Sequence, residues 1–374
     1  MTHTLASVAT PVGVVDLAVA RQNAERVVGY CREHGLTWRP HVKTHKSRDV
    51  AALQLAAGAR GLTVATPHEA EVMATVCDDL LLAYPPVGAD KLARIMALPG
   101  SVRLTVALDS VPVLEGLAAA SRAEGRTTGV LVEVDAGLRR VGVQSAGEAV
   151  ELGQRVRELG GVEYRGIMFY PGHIRGPIDD QDADLARLAD WLAALRESLE
   201  GQGLAPDVVS GGSTPTLWRT HEVPGVTEVR AGTAIFNDRE QIAVGSAAAG
   251  DLAYSVLATV VSTAVPGQAV VDAGSKALAK EERGGEGFGS LLERPGIRVR
   301  ALSEEHGILD LSGTDWRPRI GERVRIVPNH VCVSVNLQDH VLVVDDGDGR
   351  LWPLEGRGRG PFAPSPVAAA GAVP

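Results

Sequence analysis

Eight short apolar, β-branched runs recur along the first 233 residues of this 374-residue chain, and segments of helical period separate them. Alternating units of this kind form parallel sheets, because a parallel strand needs a crossover, usually a helix, to reach its neighbour. Eight units within roughly 200 residues predict an α/β chain folded as a (β/α)8 TIM-type barrel. The predicted strands are 36–43, 61–66, 79–86, 103–110, 129–137, 164–172, 207–214 and 227–233.

The segments between the runs are rich in Ala, Leu, Arg and Glu, with apolar residues at helical spacing. An open doubly wound sheet is the alternative, but no predicted strand leads into the G-x-G-x-x-G turn of a dinucleotide-binding helix. Length and the number of units favour the barrel, which we place at residues 14–245. The clearest predicted helices are 17–34, 47–57, 67–76 and 146–159.

After Asp251 the pattern changes to short strands separated by turn residues, without a long helix. These strands predict an all-β domain formed by residues 246–374 together with residues 1–13. The last stretch, 356–374, is rich in Gly, Pro and Ala, so we expect order at its start and fraying at its end.

Charge and composition exclude several classes of protein. The formal net charge of −9 argues against nucleic-acid binding, which needs a basic surface, so an anionic substrate must meet a local positive site. The sequence shows no signal peptide and no apolar run of the roughly 18 residues that a membrane helix needs. Three scattered cysteines, Cys31, Cys77 and Cys332, do not resemble a disulfide framework, which indicates a reducing, cytoplasmic setting.

Glycine- and hydroxyl-rich turns follow the last two predicted strands, at 210–214 and 230–233. Barrels often bind phosphate on these two loops, where small residues let backbone N–H groups approach an anion. The alternative is that the glycines only make tight turns. Two such turns in the expected positions favour a phosphate site.

Lys43 ends the first predicted strand, beside His41, His45 and Lys46. We expect it low in the barrel mouth, where burial and neighbouring positive charge favour the neutral amine that forms a Schiff base with an aldehyde. For this residue alone, a lysine that extends into solvent is the simpler interpretation. Opposite a phosphate site, the amine predicts a pyridoxal 5′-phosphate (PLP) enzyme.

His330 and Cys332 lie two residues apart in a predicted strand of the β domain, where both side chains would share one face. Imidazole and thiolate are good ligands for a borderline-soft ion such as zinc. A pair with this spacing is more often structural. As a metal site, it would leave open the positions that a catalytic ion needs for water or substrate.

Taken together, these segments resemble the D-serine dehydratase and D-threonine aldolase family of alanine-racemase-like, fold-type III PLP enzymes. The run RPHVKTHKS (39–47) is similar to the family's PLP-lysine segment, and seven more segments match in the same order over nearly the whole chain. They are EVDAGLRRVGV (133–143), YPGH (170–173), SGGSTPT (210–216), RAGTAIFND (230–238), VVDAGSKAL (270–278), SEEHG (303–307) and PNHVCVSVNL (328–337). The first and last segments are specific, whereas the glycine turns alone are not.

The resemblance implies roles for individual residues. Lys43 corresponds to the Schiff-base lysine that also moves the α-proton, and Arg140 corresponds to the arginine at the phenolic oxygen of the cofactor. Tyr170 and His173 correspond to residues that line cofactor and substrate. The implied phosphate cradle consists of Gly212, Ser213, Thr214, Gly232 and Thr233.

The resemblance also implies a divalent metal at His330 and Cys332, and a homodimer in which the β domain of one subunit completes the barrel mouth of another. The sequence departs from the family pattern at two positions. Ala234 stands where many relatives have tyrosine, which we expect to leave a gap near the phosphate and to reshape the substrate pocket. Gly356 replaces an alanine.

The activity implied by the resemblance is that of a lyase acting on β-hydroxy D-amino acids, by one of two reactions. In dehydration, Lys43 removes the α-proton and the β-hydroxyl leaves, which gives a 2-oxo acid and ammonia. In retro-aldol cleavage, a base such as His173 takes the hydroxyl proton and the Cα–Cβ bond breaks, which gives glycine and an aldehyde.

The His-x-Cys pair resembles the dehydratase branch, and thiolate suits zinc better than magnesium or manganese. We therefore favour a zinc-dependent D-serine or D-threonine dehydratase over the aldolase. Racemization is less favoured, because the metal pair would be idle. A non-catalytic PLP-binding protein and a barrel that uses Lys43 on a sugar phosphate stay open as other classes.

Overall fold

The computed structural model describes residues 4–360 and shows a barrel of eight parallel strands beside a separate β domain. The predicted fraying falls on residues 361–374, which lie outside the described residues. The start of that stretch is ordered, because the Gly356 N–H donates to the Lys46 carbonyl oxygen (2.8 Å). No helix within residues 4–360 is long and apolar enough to cross a membrane.

The eight predicted barrel strands are confirmed, and each pairs in parallel with its neighbours. The chain begins with β1 (Val12–Asp16), and the barrel strands are then β2 (Thr37–Trp38), β3 (Leu62–Val64), β4 (Asp79–Leu82), β5 (Arg103–Leu108), β6 (Thr128–Glu133), β7 (Val162–Met168), β8 (Val208–Gly211) and β9 (Glu228–Val229). The hydrogen-bonded order runs from β3 through β4 to β9 and then to β2. A bridge between His41 and Thr63 closes the barrel between the first and second of its strands.

Helices surround the barrel, and local sequence signals set their ends. They are α1 (Leu17–Glu33), α2 (Arg48–Ala57), α3 (Pro67–Met73), α4 (Ala89–Met96), α5 (Val111–Ala123), α6 (Ala146–Glu158), α7 (Asp182–Gly201) and α8 (Arg239–Val244). Ser145 and Glu148 form a reciprocal capping box at the start of α6, and the Thr66 side chain caps α3 just before Pro67. The predicted helices agree with these bounds within one residue, except that α3 ends at Met73.

The first barrel strand is shorter than predicted. Only Thr37 and Trp38 are extended within the sheet, and Val42–Thr44 form a 3-10 turn. Pro40 has no N–H to donate to a ladder of hydrogen bonds, so regular pairing cannot continue through it. Lys43 therefore lies in a turn after the strand and not on the strand itself.

Side chains alternate between the two faces of the barrel strands. Leu80, Leu82 and Val106 belong to the main core that includes the helices, whereas a small separate cluster contains Leu81, Ala107, Leu131 and Met168. On each strand the residues next to these four belong to the main core with the helices. Because successive side chains point to opposite faces, the four residues lie inside the barrel. Some buried residues on the barrel strands are polar or charged, and they include Thr63, Asp79, Glu133, Ser210 and Glu228.

The β domain is a mixed, mainly antiparallel nine-stranded sheet that includes β1. Its other elements are β10 (Tyr254–Ser262), β11 (Gln268–Val271), α9 (Ser275–Leu278), β12 (Gly289–Leu291), β13 (Val299–Leu302), β14 (Gly307–Asp310), β15 (Arg323–Pro328), α10 (Val331–Asn336), β16 (His340–Asp345) and β17 (Asp348–Pro353). β1 lies between β10 and β16, so the start of the chain joins this sheet. The predicted boundary at residue 14 falls inside β1, and the division at 14–245 stays a prediction.

The predicted strand through His330 and Cys332 is wrong. β15 ends at Pro328, and His330 is the N-cap residue of α10. The Val331 N–H at the start of the helix donates to Asp238 Oδ2 (2.9 Å), and Val331 and Val335 are fully buried. This tertiary support outweighs the strand preference of the valines.

Candidate active site

A cavity of about 480 Å³ opens at the carboxyl ends of the barrel strands, and residues of the β domain form part of its wall. The structure brings together every predicted site residue except His173. These lining residues are Lys43, Arg140, Tyr170, Gly212, Ser213, Thr214, Gly232, Thr233, His330 and Cys332. Its size suits a small molecule, since ligand pockets are typically about 300–1,000 Å³.

The two glycine turns form a cradle of free hydrogen-bond donors. Within residues 4–360, the backbone N–H groups of Gly212, Thr214, Gly232 and Thr233 donate to no other group. All four residues are buried, and a buried N–H without a partner is rare and costly. Converging donors of this kind fit an anion, so the cradle fits the phosphate of PLP.

The cradle touches the turn that carries Lys43. A Cβ atom at Gly232 would lie 2.4 Å from the His41 carbonyl oxygen and 2.9 Å from Thr44 Oγ1. Real Cβ atoms do not approach backbone oxygen so closely, so glycine is required for this contact. The contact brings the turn after β9, at residues 230–233, against the turn that presents Lys43.

Lys43 is exposed in this single chain, and the expected burial of its amine is therefore wrong. The 3-10 turn directs the side chain to the open cavity, where Nζ lies 5.9 Å from the centre of the Tyr170 ring. Arg140 Cζ lies 5.2 Å from the same centre. Both distances are within the range of a cation–π contact, so Tyr170 lies beside both predicted cofactor-binding cations.

Two other residues that the sequence analysis singled out, His173 and Ala234, do not line the cavity. His173 is exposed and its ring lies over Gly137, where a Cβ atom would meet His173 Cε1 at 3.0 Å. Ala234 is 4% exposed, packs in the core and does not line the cavity, and the effect of an alanine in place of tyrosine stays a prediction. The proposed role of His173 stays a prediction.

The His330 imidazole lies between two carboxylates and a thiol. Its Nδ1 is 3.2 Å from Asp238 Oδ2 and 3.4 Å from Glu240 Oε2. Cys332 Sγ lies 3.3 Å from Thr44 Oγ1 and also contacts Thr233 Oγ1 (3.6 Å). The end of the cavity that carries His330 and Cys332 is therefore adjacent to both the Lys43 turn and the anion cradle.

Two donor sets could hold a metal here. One is the predicted pair of His330 and Cys332, and the other combines His330 with Asp238 and Glu240, whose ligand atoms lie within 4.8 Å of one another. Asp238 Oδ2 already accepts from the Val331 N–H, and Glu240 is paired with Arg175 (2.9 Å). We therefore favour the pair, with Asp238 holding Nδ1 from behind, as carboxylates hold metal-bound histidines elsewhere.

Charge coupling supports a deprotonated Cys332. Burial raises the pKa of the Cys332 thiol, but His330 and Lys43 bring it down to about 7. Burial lowers the pKa of His330, and this effect is outweighed by Cys332 and the two carboxylates, which raise it. A thiolate is the form of cysteine that binds a metal.

Three further polar groups line the cavity and received no role from the sequence: the buried Arg230 and Glu133 and the half-buried His41. Burial lowers the pKa of Arg230 to about 10, although the carboxylates of Glu228 and Glu133 act to raise it. Burial raises the pKa of Glu133 to about 7, although the positive charges of Arg230 and Arg140 act to lower it. Burial holds the pKa of His41 well below its usual value. Arg230 and Glu133 begin two of the matched segments, and each directly follows or ends a strand, which was the available signal.

The comparisons with known proteins cover both domains. A family described as the alanine racemase N-terminal domain matches residues 15–240, and a family described as a putative serine dehydratase domain matches residues 253–344. A D-threonine aldolase from Arthrobacter sp. is 33% identical over 95% of this chain and 94% of its own length.

Solved structures agree. A D-threonine aldolase from Filomicrobium marinum superimposes with a TM-score of 0.88 at 31% identity, covering 96% of this chain and 98% of the other. A D-threo-3-hydroxyaspartate dehydratase with one cysteine replaced by alanine, described as the metal-free form, gives 0.85 at 33% identity, covering 94% and 98%. The chain belongs to the D-serine dehydratase and D-threonine aldolase family of alanine-racemase-like, fold-type III proteins.

The contact at Gly232 generates the first prediction. Gly232→Ala should lower the free energy of unfolding by about 1–3 kcal/mol, the usual cost of overpacking, because the new methyl group collides with the His41 carbonyl oxygen. Urea unfolding of the purified protein measures this change.

Gly250→Ala is the matched control, because a Cβ atom there would meet nothing within 4 Å. Equal stability of the two variants would show that the turns at Gly232 and Lys43 are not in the described contact.

Proposed function

We propose that this chain is a PLP- and divalent-metal-dependent lyase acting on β-hydroxy D-amino acids, and that it is a zinc-dependent D-serine or D-threonine dehydratase. One observation carries the proposal: the Lys43 turn packs directly on the anion cradle, and Cys332 contacts both. Amine, phosphate site and metal donors thus share one cavity. The names of the relatives, which include both dehydratases and aldolases, support the same class of reaction.

The cavity attracts anions although the whole chain is acidic. Its lining contains two carboxylates, Glu133 and Glu240, against five lysine and arginine side chains, which are Lys43, Arg140, Arg175, Arg230 and Arg283. A local excess of positive charge favours a phosphorylated cofactor and an amino-acid carboxylate. Such an environment is the local positive site that the net charge of −9 requires.

The residues present fit PLP. The four free N–H groups of the cradle would hold its phosphate, Lys43 would hold its aldehyde carbon, and Tyr170, Arg140 and Arg230 would surround its ring. When bound, PLP supplies an electron sink for charge that develops at the substrate Cα. Lys43 is then the group that can take the α-proton, because its amine reaches into the open cavity.

The residues also fit zinc. His330 and Cys332 would hold the ion, and Asp238 would fix the imidazole so that its other nitrogen faces the metal. When bound, zinc supplies Lewis acidity toward the substrate hydroxyl. The dehydratase relative described as metal-free lacks a cysteine, which supports a role for a thiolate in metal binding in this family.

D-threonine aldolase activity is the second candidate, because two of the relatives above carry that name. Retro-aldol cleavage needs a base for the β-hydroxyl proton. His173, the predicted base, is exposed and does not line the cavity. Dehydration needs only Lys43 and the metal site, so the geometry favours the dehydratase.

A homodimer and a cytoplasmic setting belong to the same proposal. The loops after β4 and β6 contribute Ala83 and Leu138 to the cavity, and beside them Tyr84, Val87 and Val141 are 40%, 61% and 37% exposed. An apolar rim next to a charged cavity is a surface that a second subunit can cover. The free Cys332 is compatible with a reducing compartment.

Lys43→Ala should abolish the covalent retention of PLP. The holoenzyme should show a visible absorption band, and borohydride treatment should fix the cofactor to the peptide that contains Lys43. Lys276→Ala is the control, because Lys276 is an exposed lysine paired with Glu305 in the β domain. A Lys43→Ala variant that still retains PLP after borohydride treatment would contradict the assignment.

With zinc present, the enzyme should convert D-serine to pyruvate and ammonia, which a lactate dehydrogenase-coupled assay and an ammonia assay measure. Cys332→Ala should reduce this turnover at least tenfold while leaving the visible band, because second-shell changes alone typically cost about 10–100-fold and a ligand costs no less. Glycine and acetaldehyde from D-threonine, with no 2-oxo acid from either substrate, would show an aldolase instead.

Val87→Glu should weaken self-association, because a charge would then lie on the apolar rim. Sedimentation velocity of the holoenzyme should give a dimer that partly dissociates in this variant. Val265→Glu is the control, since Val265 is equally prominent at 53% exposure but lies in the turn between β10 and β11. A monomeric wild-type enzyme would overturn the dimer.

A further inference from the structure

A chain of buried charged and polar groups crosses the barrel interior beneath the cavity. Arg39 Nη1 donates to Asp79 Oδ1 (2.7 Å), and Arg39 Nε donates to Glu228 Oε2 (2.6 Å). Ser210 Oγ donates to the other oxygen of Glu228 (2.7 Å), and Arg230 Nη1 donates to Ser210 Oγ (2.7 Å). All five residues are less than 9% exposed, so these hydrogen-bonded side chains form a continuous buried column.

The chemistry of the groups fixes the direction of every hydrogen bond. A guanidinium has no acceptor and an ionised carboxylate has no donor. Ser210 must therefore give its single proton to Glu228 and accept from Arg230. No rotation of the hydroxyl satisfies both neighbours in any other way, so Ser210 is an oriented link between the Glu228 carboxylate and the Arg230 guanidinium.

A column of this kind is not needed to fill the barrel. Barrel interiors are usually packed with branched apolar side chains, and this barrel has such a cluster at Leu81, Ala107, Leu131 and Met168. Buried ion pairs are often no more stable than well-packed apolar residues of the same volume. The column therefore calls for an explanation other than core packing.

Only one end of the column reaches the cavity. Arg230 lines the cavity, and its Nη2 donates to the Phe169 carbonyl oxygen (2.6 Å), so two of its nitrogens are anchored. At the opposite end of the barrel, Asp79 also accepts from Arg103 Nη2 (2.9 Å), whose side chain is 74% exposed. The column thus links the solvent-facing bottom of the barrel to the floor of the active site.

We propose that Ser210 and Glu228 are positioning residues for Arg230, and that they hold its guanidinium, charged and in one orientation, against the bound cofactor. The proposal rests on the proposed function for the presence of PLP in this cavity. Arg230 is the group that contacts the cofactor, whereas Ser210 and Glu228 act only through it. Glu228 supplies a buried negative charge behind the guanidinium, and Ser210, which links the two, sets the direction of the guanidinium.

Ser210→Ala removes the link and leaves the Arg39–Glu228 pair intact. In the holoenzyme this variant should release PLP with a dissociation constant about tenfold higher than that of the wild type, as expected for one lost hydrogen bond to a charged group. It should also shift the position of the visible band or its midpoint in a pH titration. Ser210→Thr keeps the hydroxyl and should restore both properties.

Thr63→Val is the matched control, because Thr63 is another buried hydroxyl on a barrel strand, donating to the Arg39 carbonyl oxygen (3.0 Å) but not to Arg230. This variant should keep the wild-type band and PLP affinity within about twofold. Urea unfolding of all variants separates a loss of stability from a loss of positioning.

Glu228→Gln gives an independent measurement, because the amide oxygen of glutamine can still accept from Ser210, whereas its NH2 group faces Arg39 Nε without a hydrogen bond and the side chain supplies no charge. It should shift the same spectroscopic midpoint as Ser210→Ala. Wild-type band, pH midpoint and PLP affinity in both variants would overturn the positioning role. A wild-type protein without a visible band would contradict the proposed PLP chemistry itself, which is a separate outcome.

Discussion

The active site depends on one backbone contact, the approach of Gly232 to the turn that carries Lys43. The His41 carbonyl oxygen occupies the space that any side chain at residue 232 would need. Because no side chain intervenes, the two free N–H groups at Gly232 and Thr233 lie beside the turn that presents the lysine. The contact therefore brings the lysine turn and the proposed anion cradle together in one wall of the cavity.

A second constraint joins the two domains at Asp238. Its Oδ1 caps α8 by accepting from the Gln241 N–H (3.0 Å), and its Oδ2 accepts from the Val331 N–H at the start of α10. The same oxygen faces His330 Nδ1. One buried carboxylate thus fixes the last barrel helix, the first turn of α10 and the orientation of the proposed metal ligand. The end of the cavity that carries His330 is positioned by helix ends, where unpaired N–H groups need an acceptor.

The interior of the barrel divides into an apolar part and a charged part, and the charged part lies under the cavity proposed to hold the cofactor. The cluster around Leu81 and Met168 packs as barrel interiors usually do. The column through Glu228 does not, and it ends at Arg230 on the cavity floor. Buried charges of this kind make the orientation of a neighbouring guanidinium insensitive to solvent, since each hydrogen bond has only one possible direction. A fixed orientation of this kind suits a guanidinium, such as that of Arg230, that holds a positive charge at one position on the cavity floor.

The sequence by itself determined the barrel and the β domain, because periodicity is a local signal. Of the eleven site residues that it predicted, ten line the cavity, because glycine turns are also local signals and the matched segments run in order. Only tertiary structure decided the rest. His330 and Cys332 lie at a helix start because Asp238 accepts from the Val331 N–H, which no local pattern of valines reveals. Lys43 is exposed because Pro40 ends its strand early and the following turn faces the cavity. The buried partners of Arg230 come from other strands, and such pairings become visible only when the barrel closes.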